Sequence, residues 1–116
     1  MKKFMVLYMA PIASMDQMMA QMNRATPEQR KASMDDWMKW GKKYEKSIVD
    51  MGAPLGRSKQ VSTTGVADHR NELGGYTLVQ GESADAVSKM FVNHPHLKSM
   101  KGATIEIVEV MPMEGM

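Results

Sequence analysis

The feature that most constrains the fold is the apolar run Phe4-Met5-Val6-Leu7-Tyr8-Met9 near the N-terminus. Successive side chains of a β-strand point to opposite faces, so a strand here has two apolar faces. These faces are Phe4, Val6 and Tyr8 on one side, and Met5, Leu7 and Met9 on the other. A strand that is apolar on both faces has to be covered on both sides. The sequence therefore predicts a sheet with a layer packed against each face.

The same segment has some features of a secretory signal, because Lys2 and Lys3 precede the apolar residues. However, Pro11 interrupts the short apolar part, and no Ala-x-Ala cleavage site follows it. We therefore interpret the segment as the first β-strand and expect a cytoplasmic protein. The chain contains no cysteine, which fits a reducing compartment and excludes disulfides, thiol catalysis and Cys-ligated zinc.

Size and charge exclude several classes of function. The 116 residues fit a single domain spanning 1–116. Fifteen Lys and Arg against 13 Asp and Glu give a net charge of +2, too balanced for binding driven by nucleic-acid phosphates. No apolar run approaches the roughly 18 residues of a membrane span. The chain also lacks the glycine-rich and zinc-binding motifs of common cofactor sites, so we predict no cofactor, no metal, no nucleic acid and no membrane partner.

Two helices are predicted after the first strand. Ser14 and Gln17 have the spacing of a capping box. They precede a short helix with a methionine stripe on one face, formed by Met15, Met18, Met19 and Met22. A second helix begins with Thr26 as the N-cap and Pro27 at the first helical position. Its apolar spacing continues to Gly52, where we expect the helix to end.

The rest of the chain completes an α+β pattern. The predicted elements are an edge strand over 54–64 containing Val61, a polar loop over 65–71, a strand over 75–80, a helix from Ser83 to Pro95, and a last strand over 105–111. The order βαββαβ, with an extra short helix after the first strand, is ferredoxin-like. Helices cover only one face of such a sheet. We therefore predict a homodimer in which a second subunit covers the other face, which would also help a chain of this size to bury enough surface.

At the level of short motifs the chain resembles the YCII-related family. The matching segments are Lys3–Tyr8, Thr26-Pro27-Glu28-Gln29 leading to Trp37, Leu73-Gly74-Gly75-Tyr76, Ser83–Ala86 and His94-Pro95. The resemblance implies a dimeric α+β barrel, and a dehydrochlorinase-type activity is among the family's few assigned roles. The family's His–Asp pair does not carry over, because the loop after the first strand is Ala10-Pro11-Ile12-Ala13. The Asp-Gly-Pro-Phe motif of one branch is likewise replaced by Thr63-Thr64-Gly65-Val66.

Three residues are candidates for acid/base catalysis. His94 is expected near a helix C-terminus, where the helix dipole favours the imidazolium form. Asp68, in the polar loop, and Glu106, on an apolar face of the last strand, are its candidate partners. The simpler alternatives are that His94 caps helix carbonyls, that His96 is solvated, and that both carboxylates reach water. A zinc site of His94 and His96 with Asp68 or His69 is a weaker alternative, because no third ligand has a recognisable spacing.

Other residues are candidates for ligand binding. Met18 and Met22 belong to the methionine stripe, which is either a helix face docked on the protein, a lid over an apolar ligand, or a Cu(I) site. Tyr8 and Trp37 would line a pocket between sheet and helices, with His96 nearby. We therefore expect a pocket for a small, partly apolar metabolite, with cofactor-independent elimination or isomerisation if the protein is an enzyme. The alternative function is a dimeric binding or interaction module without catalysis.

Overall fold

The computed structural model describes residues 1–113, so the last three residues of the predicted domain lie outside the described part. Its elements are β1 (Lys2–Met9), α1 (Ile12–Arg24), α2 (Pro27–Lys43), β2 (Ile48–Pro54), β3 (Ser58–Ser62), β4 (Gly65–His69), β5 (Leu73–Gly81), α3 (Ala84–Lys89), α4 (His96–Ser99) and β6 (Thr104–Glu109). No helix formed by residues 1–113 is both long and apolar enough to cross a bilayer.

Four strands form one antiparallel sheet in the order β2-β5-β1-β6. The apolar strand β1 is central, and Phe4 pairs with Val79 of β5 on one side and with Glu109 of β6 on the other. Leaving aside the β3–β4 hairpin, which forms a separate sheet, the elements follow a ferredoxin-like order. The predicted α+β class is therefore confirmed.

The two faces of the sheet differ in their covering. The inner face carries Phe4, Val6 and Val79, which are fully buried against Val87 and Phe91 from the second half of the chain. On the outer face, the β1 side chains Met5, Leu7 and Met9 are only half-buried. On the same outer face, the β6 side chain Val108 remains 45% exposed. Within one chain, only one of the two apolar faces of β1 is thus covered.

The second helix is shorter than its apolar spacing predicts. It ends at Lys43 with Tyr44 as the C-cap, and the chain then enters the edge strand β2. Ile48 and Met51 fit a helical repeat, but they belong to β2, where Ile48 pairs with Val79. Gly52 therefore lies inside a strand with φ +77° and does not end the helix. The prediction of the helix end failed because spacings of three and four residues continue by coincidence across a turn.

Residues 58–69 form a hairpin of their own, where the sequence predicted an edge strand over 54–64 followed by a loop over 65–71. β3 and β4 pair with each other, with Val61 opposite Val66, and they do not join the four-stranded sheet. Every residue of β4 is exposed, so no hydrophobic face marks it in the sequence. The hairpin is connected to α1 through the Arg70 guanidinium, which donates to Asp16 with the shorter N–O distance at 2.7 Å.

Local capping signals are only partly confirmed. Thr26 and Gln29 form the capping box at the start of α2, and the Ser83 hydroxyl accepts from the Ala86 N–H at the start of α3. Ser14 is not a cap, because α1 begins earlier, at Ile12, and the Ser14 hydroxyl donates to the Lys101 carbonyl. A side chain instead binds the other end of α1.

The C-terminus of α1 is held by a side chain of α2. The Arg30 guanidinium donates two hydrogen bonds to the Met22 carbonyl, at 3.1 and 2.8 Å. The same carbonyl also accepts from the Ala25 N–H at 3.3 Å, so the arginine adds charged donors to a last-turn carbonyl and complements the helix dipole. The two helices are therefore joined by a short and well-bonded connection at Ala25 and Thr26.

Candidate functional site

The most unusual group in the molecule is the imidazole of His94. It lies between α3 and α4 and is 0% exposed. Its ring stacks with Tyr8 of β1 at 5.0 Å between centroids, and Phe91 lies on it at 5.6 Å. Trp37 and Trp40 of α2 approach it edge-on at 4.4 and 4.6 Å. A fully buried histidine is thus enclosed by four aromatic rings, and we call these five residues the His94 cluster.

Hydrogen bonding identifies the tautomer of His94. Its Nδ1 accepts from the His96 backbone N–H at 3.0 Å, so in the neutral ring the proton is on Nε2. Among residues 1–113, this Nε2 is the one buried side-chain nitrogen or oxygen that has no hydrogen-bond partner. An unsatisfied buried donor is costly, of the order of 1–3 kcal/mol, and calls for an explanation.

The environment of His94 favours the neutral ring. Burial, with a smaller contribution from the neighbouring His96, lowers the His94 pKa from 6.5 to about 4. The expectation that a helix end would favour the imidazolium is therefore wrong. α3 is only six residues long, and loss of hydration outweighs any dipole it supplies. His94 is suited to donate from Nε2 and not to take up a proton at neutral pH.

His96 has a structural contact of its own. It is 3% exposed, and its Nε2 donates to the Met9 carbonyl at the end of β1 at 2.9 Å. The alternative that His96 is solvated is therefore wrong. Its ring holds the His94-Pro95-His96 turn against the end of β1, and its backbone N–H fixes the orientation of the His94 ring.

Tyr8 is the inner-face residue that connects this cluster to the sheet edge. The Thr77 hydroxyl donates to the Met51 carbonyl at 2.9 Å, so the Tyr8 hydroxyl is the donor in its 2.7 Å hydrogen bond to Thr77. Burial raises the Tyr8 pKa to about 12, although the Thr77 hydrogen bond acts in the opposite direction. The phenol is therefore neutral, and its proton is already used within the protein.

A groove runs beside the His94 cluster. It has a volume of about 630 Å³ and lies between α2 and the segment from the end of α3 to α4, with Met18 of α1 contributing to its wall. Trp37 and Trp40 both line it and both contact His94, so these two rings separate the groove from the buried imidazole. Met22 is not among the described residues that line the groove.

The three predicted catalytic residues are not brought together within the chain. Asp68 lies on the exposed hairpin, where it pairs with Lys59. Glu106 lies opposite Leu7, on the outer face of the sheet, whereas the adjacent Ile105 lies opposite Tyr8 on the inner face. Because successive side chains of a strand alternate, the sheet separates Glu106 from His94.

The structure also bears on the metal alternatives. Within residues 1–113, no group of three His, Asp or Glu side chains lies close enough to hold a metal ion. The proposed zinc ligands Asp68 and His69 are on the hairpin, and His94 Nδ1 is engaged by a backbone N–H. In the methionine stripe, Met15, Met18 and Met22 are half-buried and Met19 is exposed, so the stripe is a partly docked face of α1.

Three residues of the site were not among the predicted site residues: Trp40, Phe91 and Thr77. A signal for two of them was present, because Trp40 follows Trp37, and His94 follows Phe91, at the three-residue spacing of one helical face. Trp40 is fixed by its indole N–H, which donates to the Met90 carbonyl at 2.8 Å. Thr77 had no such signal, because its role depends on two strands distant in the sequence.

Comparison with known proteins supports the fold. No protein-family model and no curated protein matches the chain. Among solved structures, 5-chloro-2-hydroxyhydroquinone dehydrochlorinase from Burkholderia phenoliruptrix AC1100, in complex with 2,5-dihydroxybenzoquinone, is similar with a TM-score of 0.50. The similarity covers 90% of both chains at 15% sequence identity. The protein thus shares its α+β architecture with a dehydrochlorinase.

Proposed function

We propose that the protein is a YCII-like dimeric α+β barrel that binds a small aromatic molecule carrying a carbonyl group in the groove beside the His94 cluster. The observation that carries this proposal is the buried, unpartnered Nε2–H of His94 among aromatic rings. A carbonyl oxygen of a bound ligand would accept from this nitrogen and remove the cost of the unsatisfied donor.

Access to His94 depends on Trp37. The Trp37 ring is half-buried, lines the groove and lies 4.4 Å from the imidazole centroid. Trp40 is held by its hydrogen bond to Met90 and is the one buried residue of α2. Trp37 is therefore the ring that moves aside on binding, after which a planar ligand would lie against aromatic faces and reach Nε2.

The chemistry that this arrangement favours is polarisation of the carbonyl. A neutral imidazole donor in a site shielded from water stabilises negative charge that develops on an oxygen. The dehydrochlorinase of similar fold was determined with 2,5-dihydroxybenzoquinone, a planar ring with carbonyl groups, which agrees with this ligand class. If the protein is an enzyme, His94 would stabilise an enolate-like state in an elimination or isomerisation, and the base would not be His94.

Two substitutions at His94 distinguish the role of the Nε2 donor from that of the Nδ1 acceptor. In His94→Gln the side-chain amide retains a donor near the Nε2 position, whereas in His94→Asn the side-chain oxygen retains an acceptor near Nδ1 and the distal donor is lost. We expect His94→Gln to bind a neutral probe, 4-hydroxybenzamide, within about threefold of the wild type, and His94→Asn to bind it at least about tenfold more weakly.

Binding is measured by ¹⁵N nuclear magnetic resonance of the two indole N–H groups. The chain has two tryptophans and both line the groove, so each indole signal reports on the site. The backbone spectra of both variants provide the control for folding. Equal affinity of His94→Asn and wild type for every aromatic carbonyl probe that binds would show that Nε2 does not contact the ligand.

The uncovered apolar face of the sheet supports the proposal that the protein is a dimer. Val108 lies opposite Met5, and both belong to the apolar face that the chain leaves without a covering layer. A second copy placed sheet against sheet would bury this face, as the resemblance to the YCII-related family implies. The same face would serve the alternative function, a dimeric interaction module that does not turn over its ligand.

We expect Val108→Lys to convert the dimer to a monomer, because a lysine would be buried without a partner at the interface. Multi-angle light scattering after gel filtration measures the mass directly. The matched control is Val61→Lys on the hairpin, where the valine is 76% exposed, and it should remain dimeric. A wild-type chain that elutes as a monomer at every concentration would contradict the dimer proposal.

A further inference from the structure

We infer that the ligand of the groove is an anion, specifically an aromatic carboxylate; this inference rests on the function proposed above. Four lysines line the groove, and Asp36 is the one carboxylate among the described residues that line it. The lysines are Lys39, Lys43, Lys89 and Lys98. The groove therefore has an excess of three positive charges, more than the net charge of +2 of the whole chain.

These lysines form no ion pair in the part of the chain that the structure describes. The three ion pairs formed by residues 1–113 are Lys2–Glu109, Lys59–Asp68 and Arg70–Asp16. None of them includes a lysine of the groove, so the ammonium groups are available to an anion. Like charges that line one concave surface raise the local positive potential, which attracts an anionic ligand.

The lysines approach the groove from two walls. Lys39 and Lys43 belong to α2, whereas Lys89 ends α3 and Lys98 lies in α4. A carboxylate in the groove would therefore meet positive charge from both sides.

The groove also favours an aromatic ligand. Its walls include Trp37, Trp40 and Tyr44, and the Lys43 ammonium lies 5.4 Å from the Tyr44 ring centroid. Its volume of about 630 Å³ lies in the range of small-molecule pockets, roughly 300–1,000 Å³. Aromatic walls and surrounding ammonium groups together select a small ring with a negative substituent.

The test compares two probes of nearly equal shape, 4-hydroxybenzoate and the neutral 4-hydroxybenzamide, by the indole signals of Trp37 and Trp40. At low ionic strength the wild type should bind the benzoate at least about fivefold more tightly than the amide, and added salt should reduce this preference. Lys43→Gln and Lys98→Gln should each weaken benzoate binding by about twofold to threefold and so reduce the ratio of benzoate to amide affinity by about that factor.

Lys31→Gln is the matched control, because Lys31 is an exposed lysine of α2 that does not line the groove. It changes the net charge equally and should alter neither affinity. Equal affinity of the wild type for both probes would overturn the anion inference and leave the proposed aromatic site intact. An equal loss in Lys31→Gln and Lys43→Gln would also overturn it, since the effect would then come from overall charge. If neither probe shifts an indole signal, the proposed function and this inference both fail.

Discussion

Lowering the pH from 7 to 4 is expected to reduce the free energy of unfolding by about 3 kcal/mol through His94 alone. The His94 pKa falls from 6.5 in its ordinary state to about 4 in the folded protein, chiefly because of burial. Each pKa unit corresponds to about 1.4 kcal/mol, which gives this magnitude. The same burial that keeps the Nε2 proton in place as a donor therefore makes the fold sensitive to acid.

The direction of the effect follows from proton binding in the two states. Above the ordinary pKa, His94 is neutral in both the folded and the unfolded chain, and the group contributes no pH dependence. Between pH 6.5 and about 4 the unfolded chain binds a proton that the folded chain does not, so stability falls as the pH falls. Below about pH 4 both states are protonated at this site, and the loss levels off.

Urea unfolding across this pH range measures the effect. We expect His94→Gln to reduce the slope of the free energy of unfolding against pH. Carboxylates contribute their own acid dependence, so the informative quantity is the difference in slope between the variant and the wild type. His69→Gln is the control, because it removes a histidine from the exposed hairpin and should retain the slope of the wild type. A His94→Gln protein with the slope of the wild type would show that the imidazole is not held in its neutral form.

Gly52→Ala is expected to destabilise the protein by at least about 3 kcal/mol. Gly52 has φ +77°, a conformation that costs an L-residue about 1–2 kcal/mol. A Cβ atom at this position would also lie 1.8 Å from the Tyr76 carbonyl oxygen of β5. This neighbour is backbone within the sheet, so relief would require β2 to move away from β5. Such a movement would also disturb the Thr77–Met51 hydrogen bond beside Tyr8.

Substitutions at Gly56 and Gly65 distinguish the two causes of this loss of stability, which are backbone strain and steric contact with β5. An alanine Cβ at Gly56 meets no atom within 4 Å, so Gly56→Ala should change the free energy of unfolding by less than about 0.5 kcal/mol. Gly65 is equally open but has φ +129°, so Gly65→Ala should cost only the backbone strain, about 1–3 kcal/mol. Chemical denaturation midpoints measure all three. A Gly52→Ala protein no less stable than Gly65→Ala would contradict the close packing of β2 on β5.

The parts of the fold that were predictable are those whose signals are local. The alternation in β1 and the cap at Thr26 depend on neighbouring residues, and the structure confirms them. The division of residues 44–71 was not predictable in the same way. Ile48 is compatible with a helix or a strand, and only its pairing with Val79, far along the chain, decides between them. The exposed β4 has no apolar face that would mark it.

The candidate site was also predictable only where its signals are local. Tyr8, Trp37 and His94 were identified from residue type and position, and they contact one another in the structure. The proposed carboxylate partners were not found there. Alternation already placed Glu106 with the outer residues Val108 and Val110, and that face is opposite the helices. The charge state of His94 depends on burial by four rings from three distant segments, which no short motif encodes.

The central position of β1 has a consequence for the synthesis of the chain. β1 precedes both of its partners, β5 and β6, in the chain, and β2 to β4 and all four helices lie between β1 and β6. The apolar side chains of β1 therefore lack their sheet partners until β5 and β6 have been translated. Pairings between such distant segments close large loops and form slowly. The four-stranded sheet can consequently be completed only after translation of β6, and until β5 and β6 are available the nascent protein exposes an apolar segment that is prone to aggregation.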